Sequence, residues 1–381
     1  MIYLDNSATT RVLPEAADAA YAAMTESYYN PSAAYAPALA AERTVNACRA
    51  RLADALGHGA DEVYYTSGGT ESNNTAIFGA IAPVRGKKRV ITCLTEHPSV
   101  YNVFRALENR EDIETIYIGT DETGAADLRA LAGALTQNTA LVSLMHVNNE
   151  TGAITDIASA STLIRRGAQN ALFHVDGVQA FCKLPFAGVP CDVYSVSAHK
   201  FHAPKGVGAL YIKNGARFGG GQIGGGQERG VRSGTTNVPG VVGMDAALTQ
   251  YRKHHAEWMG RMRMCKERLA KNLLTIEDVF VNGPPLDRGA GHILNMSFIG
   301  VRGETLLNAL SERQVCVAMG SACSARKKGK NRVLNAIGVT GARQDGAIRF
   351  SFNPFNTEQE MDIVAQHIAE LTTFLRRYRR R

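Results

Sequence analysis

The chain has 381 residues, of which 45% are hydrophobic and 20% charged, and carries a net charge of +7 from 42 basic and 35 acidic residues. That length holds two domains and a large buried core, and the composition is ordinary for a soluble globular enzyme. Part of the basic excess lies in Arg376-Arg377-Tyr378-Arg379-Arg380-Arg381, which suits a solvated helix end and gives direct nucleic-acid binding little support.

The first β-rich runs fall at 63–66, 89–92, 115–118, 141–144 and 172–175. Between them, 125–135 and 157–166 have the apolar spacing of helices. Residues 193–196 and 209–212 follow as strands with little room for a helix between them, which predicts an antiparallel pair. The tract 219–226, Gly-Gly-Gly-Gln-Ile-Gly-Gly-Gly, lacks the strand-to-helix setting of a dinucleotide fingerprint and is expected to be a flexible loop. A long helical pattern over 241–274 leads to shorter strands at 293–298 and 347–352. Thr357-Glu358-Gln359-Glu360 then forms a capping box before the last helix. The prediction is an α/β protein with a mostly parallel sheet covered by helices on both faces, and a smaller α+β domain. The expected division is 13–250 for the large domain, with 1–12 and 251–381 forming the small one.

Thr66-Ser67-Gly68-Gly69-Thr70-Glu71-Ser72-Asn73-Asn74 follows a strand and opens a helix. Free backbone N–H groups and the Thr70 hydroxyl make it either an anion cradle suited to phosphate or a well-capped helix start. Asp176 ends the strand 172–175, where α/β sites form, and a carboxylate there keeps a pyridinium nitrogen protonated. Gln179 reaches the same region if the chain turns. Ser197-Ala198-His199-Lys200 closes a later strand with an amine and two phosphate donors, while Lys205, in Pro204-Lys205-Gly206, is a rival amine.

Seven cysteines, at 48, 93, 182, 191, 265, 316 and 323, include no Cys-x-x-Cys pair. Their spacing fits neither a disulfide framework nor a zinc site, and a reduced cytoplasm is the expected setting. The start Met1-Ile2-Tyr3-Leu4-Asp5-Asn6 has no signal-peptide pattern, and no apolar run reaches membrane-span length. Cys323 lies in the small polar stretch Met319-Gly320-Ser321-Ala322-Cys323-Ser324-Ala325, followed by Arg326, Lys327, Lys328 and Lys330. Alone it reads as an incidental surface thiol. Beside a candidate cofactor site, the positive charge favours a nucleophilic thiolate and steers acidic acceptors.

From end to end the chain resembles the cysteine desulfurases of the NifS/IscS type, in the class V aminotransferase family of fold type I pyridoxal phosphate enzymes. The resemblance rests on Tyr3-Leu4-Asp5-Asn6-Ser7-Ala8-Thr9-Thr10, Asn30-Pro31-Ser32, the 66–74 stretch, Glu96-His97-Pro98, and Val147-Asn148-Asn149-Glu150-Thr151-Gly152. It continues through His174-Val175-Asp176-Gly177-Val178-Gln179, Ser197-Ala198-His199-Lys200, Gly225-Gly226-Gln227-Glu228-Arg229-Gly230 and Arg232-Ser233-Gly234-Thr235. The last matches are Gly320-Ser321-Ala322-Cys323 and Ile348-Arg349-Phe350-Ser351.

The resemblance implies that Lys200 carries pyridoxal 5'-phosphate, Asp176 pairs with the pyridinium nitrogen, Gln179 with the ring hydroxyl, and His97 stacks on the ring. Gly69, Thr70, Ser197 and His199 would hold the phosphate, joined by Thr235 of a partner subunit in a homodimer. Asn149 and Arg349 would hold the carboxylate of L-cysteine, and Cys323 would take its sulfur. The products would be alanine and a persulfide destined for a protein acceptor in iron–sulfur cluster assembly or tRNA thiolation. A pyridoxal phosphate aminotransferase or β-lyase, including a selenocysteine lyase, is the alternative on the same fold.

Three stretches depart from the family pattern: Ala33-Ala34-Tyr35-Ala36-Pro37, the basic run after Cys323, and Phe352-Asn353-Pro354 after Arg349. The first two bear on partner choice and the third on closure of the small domain. None touches the cofactor residues.

Overall fold

A computed structural model describes residues 1–320 and 331–377. Its strands begin with β1 (Ile2–Tyr3), β2 (Val63–Thr66), β3 (Lys88–Cys93), β4 (Ile113–Ile118), β5 (Thr139–Met145) and β6 (Leu172–Asp176). They continue with β7 (Val193–Ser197), β8 (Gly208–Ile212), β9 (Val279–Val281), β10 (Ile293–Phe298), β11 (Val315–Cys316) and β12 (Ala347–Ser351). The helices that matter below are α1 (Pro14–Thr25), α2 (Ala36–Leu56), α3 (Gly69–Ile81), α4 (Pro98–Leu107), α5 (Leu128–Ala134), α6 (Ile157–Gly167) and α7 (Val238–Leu273). After them come α8 (Gly303–Glu312), α9 (Arg332–Ala336), α10 (Gly341–Asp345) and α11 (Glu358–Arg377).

Seven strands form one sheet in the order β2-β8-β7-β6-β5-β3-β4. Only β8 runs against its neighbours, pairing antiparallel with β7 as the short connection predicts. Strands β5, β6, β7 and β8 are buried along their whole length, as expected of a sheet with both faces covered. The large core takes Leu52, Val142, Phe173, Val196 and Tyr251 among others. Fully burying such side chains contributes about 1.5–3 kcal/mol each.

A second core, with Leu4, Leu269, Leu294, Phe298 and Ile368, packs around an antiparallel sheet ordered β12-β10-β9 and the parallel pair β1-β11. Helix α7 serves both. Its residues through Trp258 join the first core and those from Met262 the second, while Met259 packs against each.

Local chemistry explains where element ends differ from the pattern. Helix α5 begins at Leu128 rather than 125, because Asp127 accepts from the backbone N–H groups of Arg129 and Ala130 at 2.8 and 3.1 Å. Helix α7 starts three residues before its apolar pattern. Asn237 caps it through Gly240 N at 3.0 Å, and Pro239 is tolerated in the first turn. The capping box before α11 forms in both directions, Thr357 N to Glu360 Oε2 at 3.1 Å and Glu360 N to Thr357 Oγ1 at 3.2 Å.

The glycine tract is an irregular loop, bridged to the following segment at Gln222 and Arg232. The chain beyond it is anchored by Glu228, whose carboxylate takes two hydrogen bonds from Arg49, at 2.6 and 2.8 Å, and one from Tyr65 N at 2.8 Å. Both ion-pair partners are buried, so the third donor helps offset the cost of removing two charges from water.

Candidate active site

The C-terminal ends of β2, β3, β5, β6 and β7 deliver their following residues to one cavity of about 390 Å³. Gly69, Thr70, His97, Asn149, Asp176, Gln179, Ser197, His199, Lys200 and Arg349 all line it. Two sequence-named residues stand apart. Thr235 is exposed and does not line this cavity, and Cys323 lies outside the described residues, as do Arg326, Lys327, Lys328 and Lys330.

At the phosphate-sized end, α3 opens directly after β2. Gly68 turns with φ of +145°, and a Cβ on Gly69 would lie 2.7 Å from Val178 Cγ2. Glycine at both positions therefore brings the unpaired N–H groups of the helix start against Ser197 at the end of β7.

In the middle, Asp176 is 2% exposed and accepts from Asn73 Nδ2 at 2.8 Å and Val178 N at 3.0 Å. Burial pushes its carboxyl above the ordinary value, against the pull of those donors and of Lys200. A buried carboxylate held by neutral donors and facing a cavity is suited to a cationic ring N–H.

His97 caps α4. Its Nδ1 accepts from Ser99 N at 3.1 Å and lies 2.7 Å from Ser99 Oγ. Because the backbone N–H must donate, Nδ1 carries no proton and the neutral ring bears it on Nε2. Burial, then the charges of Lys200 and Arg332, hold this ring down at about 4.

The Lys200 amine donates to the carbonyls of Ser7 and Ala8 at 2.7 and 2.8 Å. Burial and the Arg349 charge lower it to about 7, so a large share is neutral and nucleophilic near neutral pH. Lys205, the rival amine, also lines the cavity but is exposed. Gln179 donates to Ser7 O at 2.9 Å. Arg349 is 1% exposed, with Nη1 on Asn149 O at 2.9 Å and Nη2 on Asp5 Oδ1 at 2.7 Å. Among the described residues its Nε has no hydrogen-bond partner.

A family model for "Aminotransferase class-V" matches residues 2–364. The chain belongs to the class V aminotransferase family. It is 38% identical to "Cysteine desulfurase 2" of Trichormus variabilis over 99% of this chain and 94% of that protein. It is 41% identical to "Cysteine desulfurase IscS" of Escherichia coli over 95% of this chain and 90% of that one. A solved "NifS-like protein" superposes with a TM-score of 0.91 at 33% identity, covering 98% of this chain and 99% of the other. The predicted fold, a mostly parallel sheet flanked by helices as in fold type I pyridoxal phosphate enzymes, is the observed one. This class V family is pyridoxal phosphate dependent.

Sequence reasoning named the cavity lining of this family member but not the layer behind it. Asn73 Nδ2 bridges Asp176 and Ser99 Oγ at 2.8 Å each, which joins the Asp176 carboxylate to His97 through Ser99. The available signal is that Gly69 and Asn73, four apart on α3, share a helix face. Glu150, beside Asn149, accepts from Asn331 Nδ2 at 2.6 Å, and a Cβ on Gly320 would lie 2.9 Å from the same carboxylate oxygen. Glu150 thus meets both residues that flank 321–330.

Six buried or largely buried histidines contribute to the acid sensitivity of the fold. Burial pushes His97, His146 and His199 to about 4, His174 and His202 to about 3, and His292 well down, from an ordinary value of 6.5. Between about pH 6.5 and 4 the unfolded chain binds protons on these rings that the folded chain does not. Their contribution is complete above 6.5 and is lost as pH falls. The raised carboxyls of Glu96 and Asp176 act in the opposite sense but are outnumbered. Urea midpoints measured at pH 7.5, 6 and 5 are expected to fall steeply between the last two, and a flat profile would contradict it.

Proposed function

We propose that this cavity holds pyridoxal phosphate on Lys200 and is used to move sulfur from L-cysteine to Cys323. The chain is a pyridoxal phosphate dependent cysteine desulfurase. The observation that carries the residue assignment is the convergence, in one cavity, of a buried carboxylate, a depressed lysine, a helix start and a buried arginine. The donor set fits the cofactor. Asp176 would take the pyridinium N–H, and Gly69, Thr70, Ser197 and His199 would take the phosphate. His97 would stack on the ring and Gln179 would pair with the ring hydroxyl.

Pyridoxal phosphate, when bound, supplies an electron sink conjugated to the substrate Cα. The chain's own residues do the rest. Arg349 and Asn149 orient the cysteine carboxylate, with the Asp5 contact of Arg349 exchanged for it. Lys200 moves the proton at Cα, and its depressed value keeps it a competent base near pH 7. Neutral His97 stands ready with an N–H on Nε2. Cys323, as thiolate, forms an S–S bond to the substrate sulfur as the Cβ–Sγ bond breaks. The electron pair of that bond stays with the carbon fragment, which takes up a proton and leaves as alanine.

Five other cysteines, at 48, 93, 182, 191 and 265, are buried, and burial pushes their thiols up. Those thiols are poor nucleophiles at neutral pH. Such chemistry suits a reduced compartment, which we take to be the cytoplasm.

Further parts of the reading concern assembly. A homodimer would bring Thr235 of one subunit to the phosphate of the other, and its exposure here leaves it available. We read the chain as a large unit of 13–250 and a small one of 1–12 with 251–381, joined by α7, whose Tyr251 and Trp258 still pack in the first core. The persulfide goes to an acidic protein acceptor of iron–sulfur assembly or tRNA thiolation, attracted by Arg326, Lys327, Lys328 and Lys330.

The deciding experiment is incubation of the purified protein with L-cysteine and pyridoxal phosphate. Alanine should form with an equal amount of sulfide once a thiol reductant is added, and mass spectrometry should find a persulfide on Cys323. A keto acid formed with an amino acceptor, without persulfide, would make it an aminotransferase. Pyruvate, ammonia and free sulfide would make it a β-lyase.

A further inference from the structure

Lys183, in the turn after Gln179, is 7% exposed, and its Nζ donates to the main-chain carbonyl of Lys200 at 2.8 Å. Among the described residues no carboxylate pairs with it. Its surroundings are the Cys182 thiol, the Tyr251 ring on α7 with its centroid 6.0 Å away, and the rings of His202 and His292. Burying an amine without an anion is costly, and a methionine of similar length would avoid that cost. Holding one carbonyl needs only a neutral N–H donor.

What a neutral donor lacks is charge, and the residue whose carbonyl Lys183 holds also carries the cavity amine. Around that amine stand Arg349 from β12, Asp176 from β6, Asp5 from the segment after β1, Lys183, and the rings of His97 and His199, which burial keeps neutral. The two carboxylates favour its protonated form; the two cations oppose them.

We propose that Lys183 is the positioning residue of Lys200: it clamps the Lys200 carbonyl, and its charge keeps the neighbouring amine in the neutral, nucleophilic form. The inference deepens the reading above and rests on Lys200 being the reactive amine. The clamp holds the turn Ala198–Lys200 at the cavity floor, where His199 O is tied from the other side by Thr10 at 3.0 Å. Burial still leaves Lys183 largely charged at pH 7, since its own value falls only to about 8.

The test uses the full-length chain without pyridoxal phosphate. Acetylation at a series of pH values, with the Lys200 peptide quantified by mass spectrometry, gives the midpoint at which that amine becomes reactive. In Lys183→Met the midpoint is expected to rise by about one pH unit, a ten-fold gain in proton affinity. Lys183→Arg should return it to the wild-type position. Should the methionine variant not fold, Lys183→Gln, which keeps an N–H donor without the charge, makes the same measurement. A midpoint unmoved in the folded neutral variant, or raised equally in Lys183→Arg, overturns the role of the charge and leaves a structural anchor. No step uses cysteine or Cys323, so this outcome is separate from that of the desulfurase assay.

Discussion

Cys323→Ser should bind pyridoxal phosphate and L-cysteine as the wild type does and yet form almost no alanine. The reason is the order of events. Cofactor and substrate are held by Asp176, Lys200, Arg349 and the start of α3, all in the described cavity, while Cys323 acts only when the Cβ–Sγ bond must break. A serine hydroxyl stays protonated at neutral pH and is a far weaker nucleophile toward sulfur than a thiolate. A fall of about 10³-fold in kcat corresponds to about 4 kcal/mol of lost transition-state stabilisation. Absorbance changes on adding L-cysteine should persist, because binding precedes the defect. Normal alanine production by Cys323→Ser would remove the thiol from the mechanism.

Much of this architecture is written locally. The strands of the large sheet are short apolar runs flanked by turn residues, so period and length locate them to within two residues at either end. The antiparallel β7-β8 pair follows from the shortness of its connection. The start of α5 was less legible because Asp127 competes with the apolar pattern for the helix terminus, and a cap decides that contest by two hydrogen bonds.

At the site, residues that line the cavity stand at strand ends, which is a positional signal a single sequence carries. The polar layer behind them has none. Asn73 and Asp176 meet across 103 residues, and Glu150 and Asn331 across 181. Nothing in the neighbourhood of either partner announces the other. Lys183 is the same case in a different form: only packing against Tyr251 and the Lys200 carbonyl shows that its charge is buried. The Arg349–Asp5 pair likewise joins residues 344 positions apart.

The largest effect is expected at Lys200. Wild-type protein loaded with pyridoxal phosphate and treated with borohydride should carry the reduced cofactor on the Lys200 peptide. Its amine lies inside the cavity, lowered to about 7 by burial, whereas Lys205 is exposed at the same cavity. In Lys200→Ala the covalent link is lost, but the phosphate cradle at α3 and the Asp176 carboxylate remain, so some cofactor should co-purify and dialyse away slowly. Turnover should fall by about 10⁴-fold or more, the upper end of what one acid–base group supplies, because attachment and proton transfer are lost together. A free alkylamine added to the variant restores a base without restoring the attachment, so it should recover a small part of the rate and none of the borohydride label. A label found on Lys205, or a Lys200→Ala enzyme that turns over L-cysteine at the wild-type rate, would move the reactive amine elsewhere.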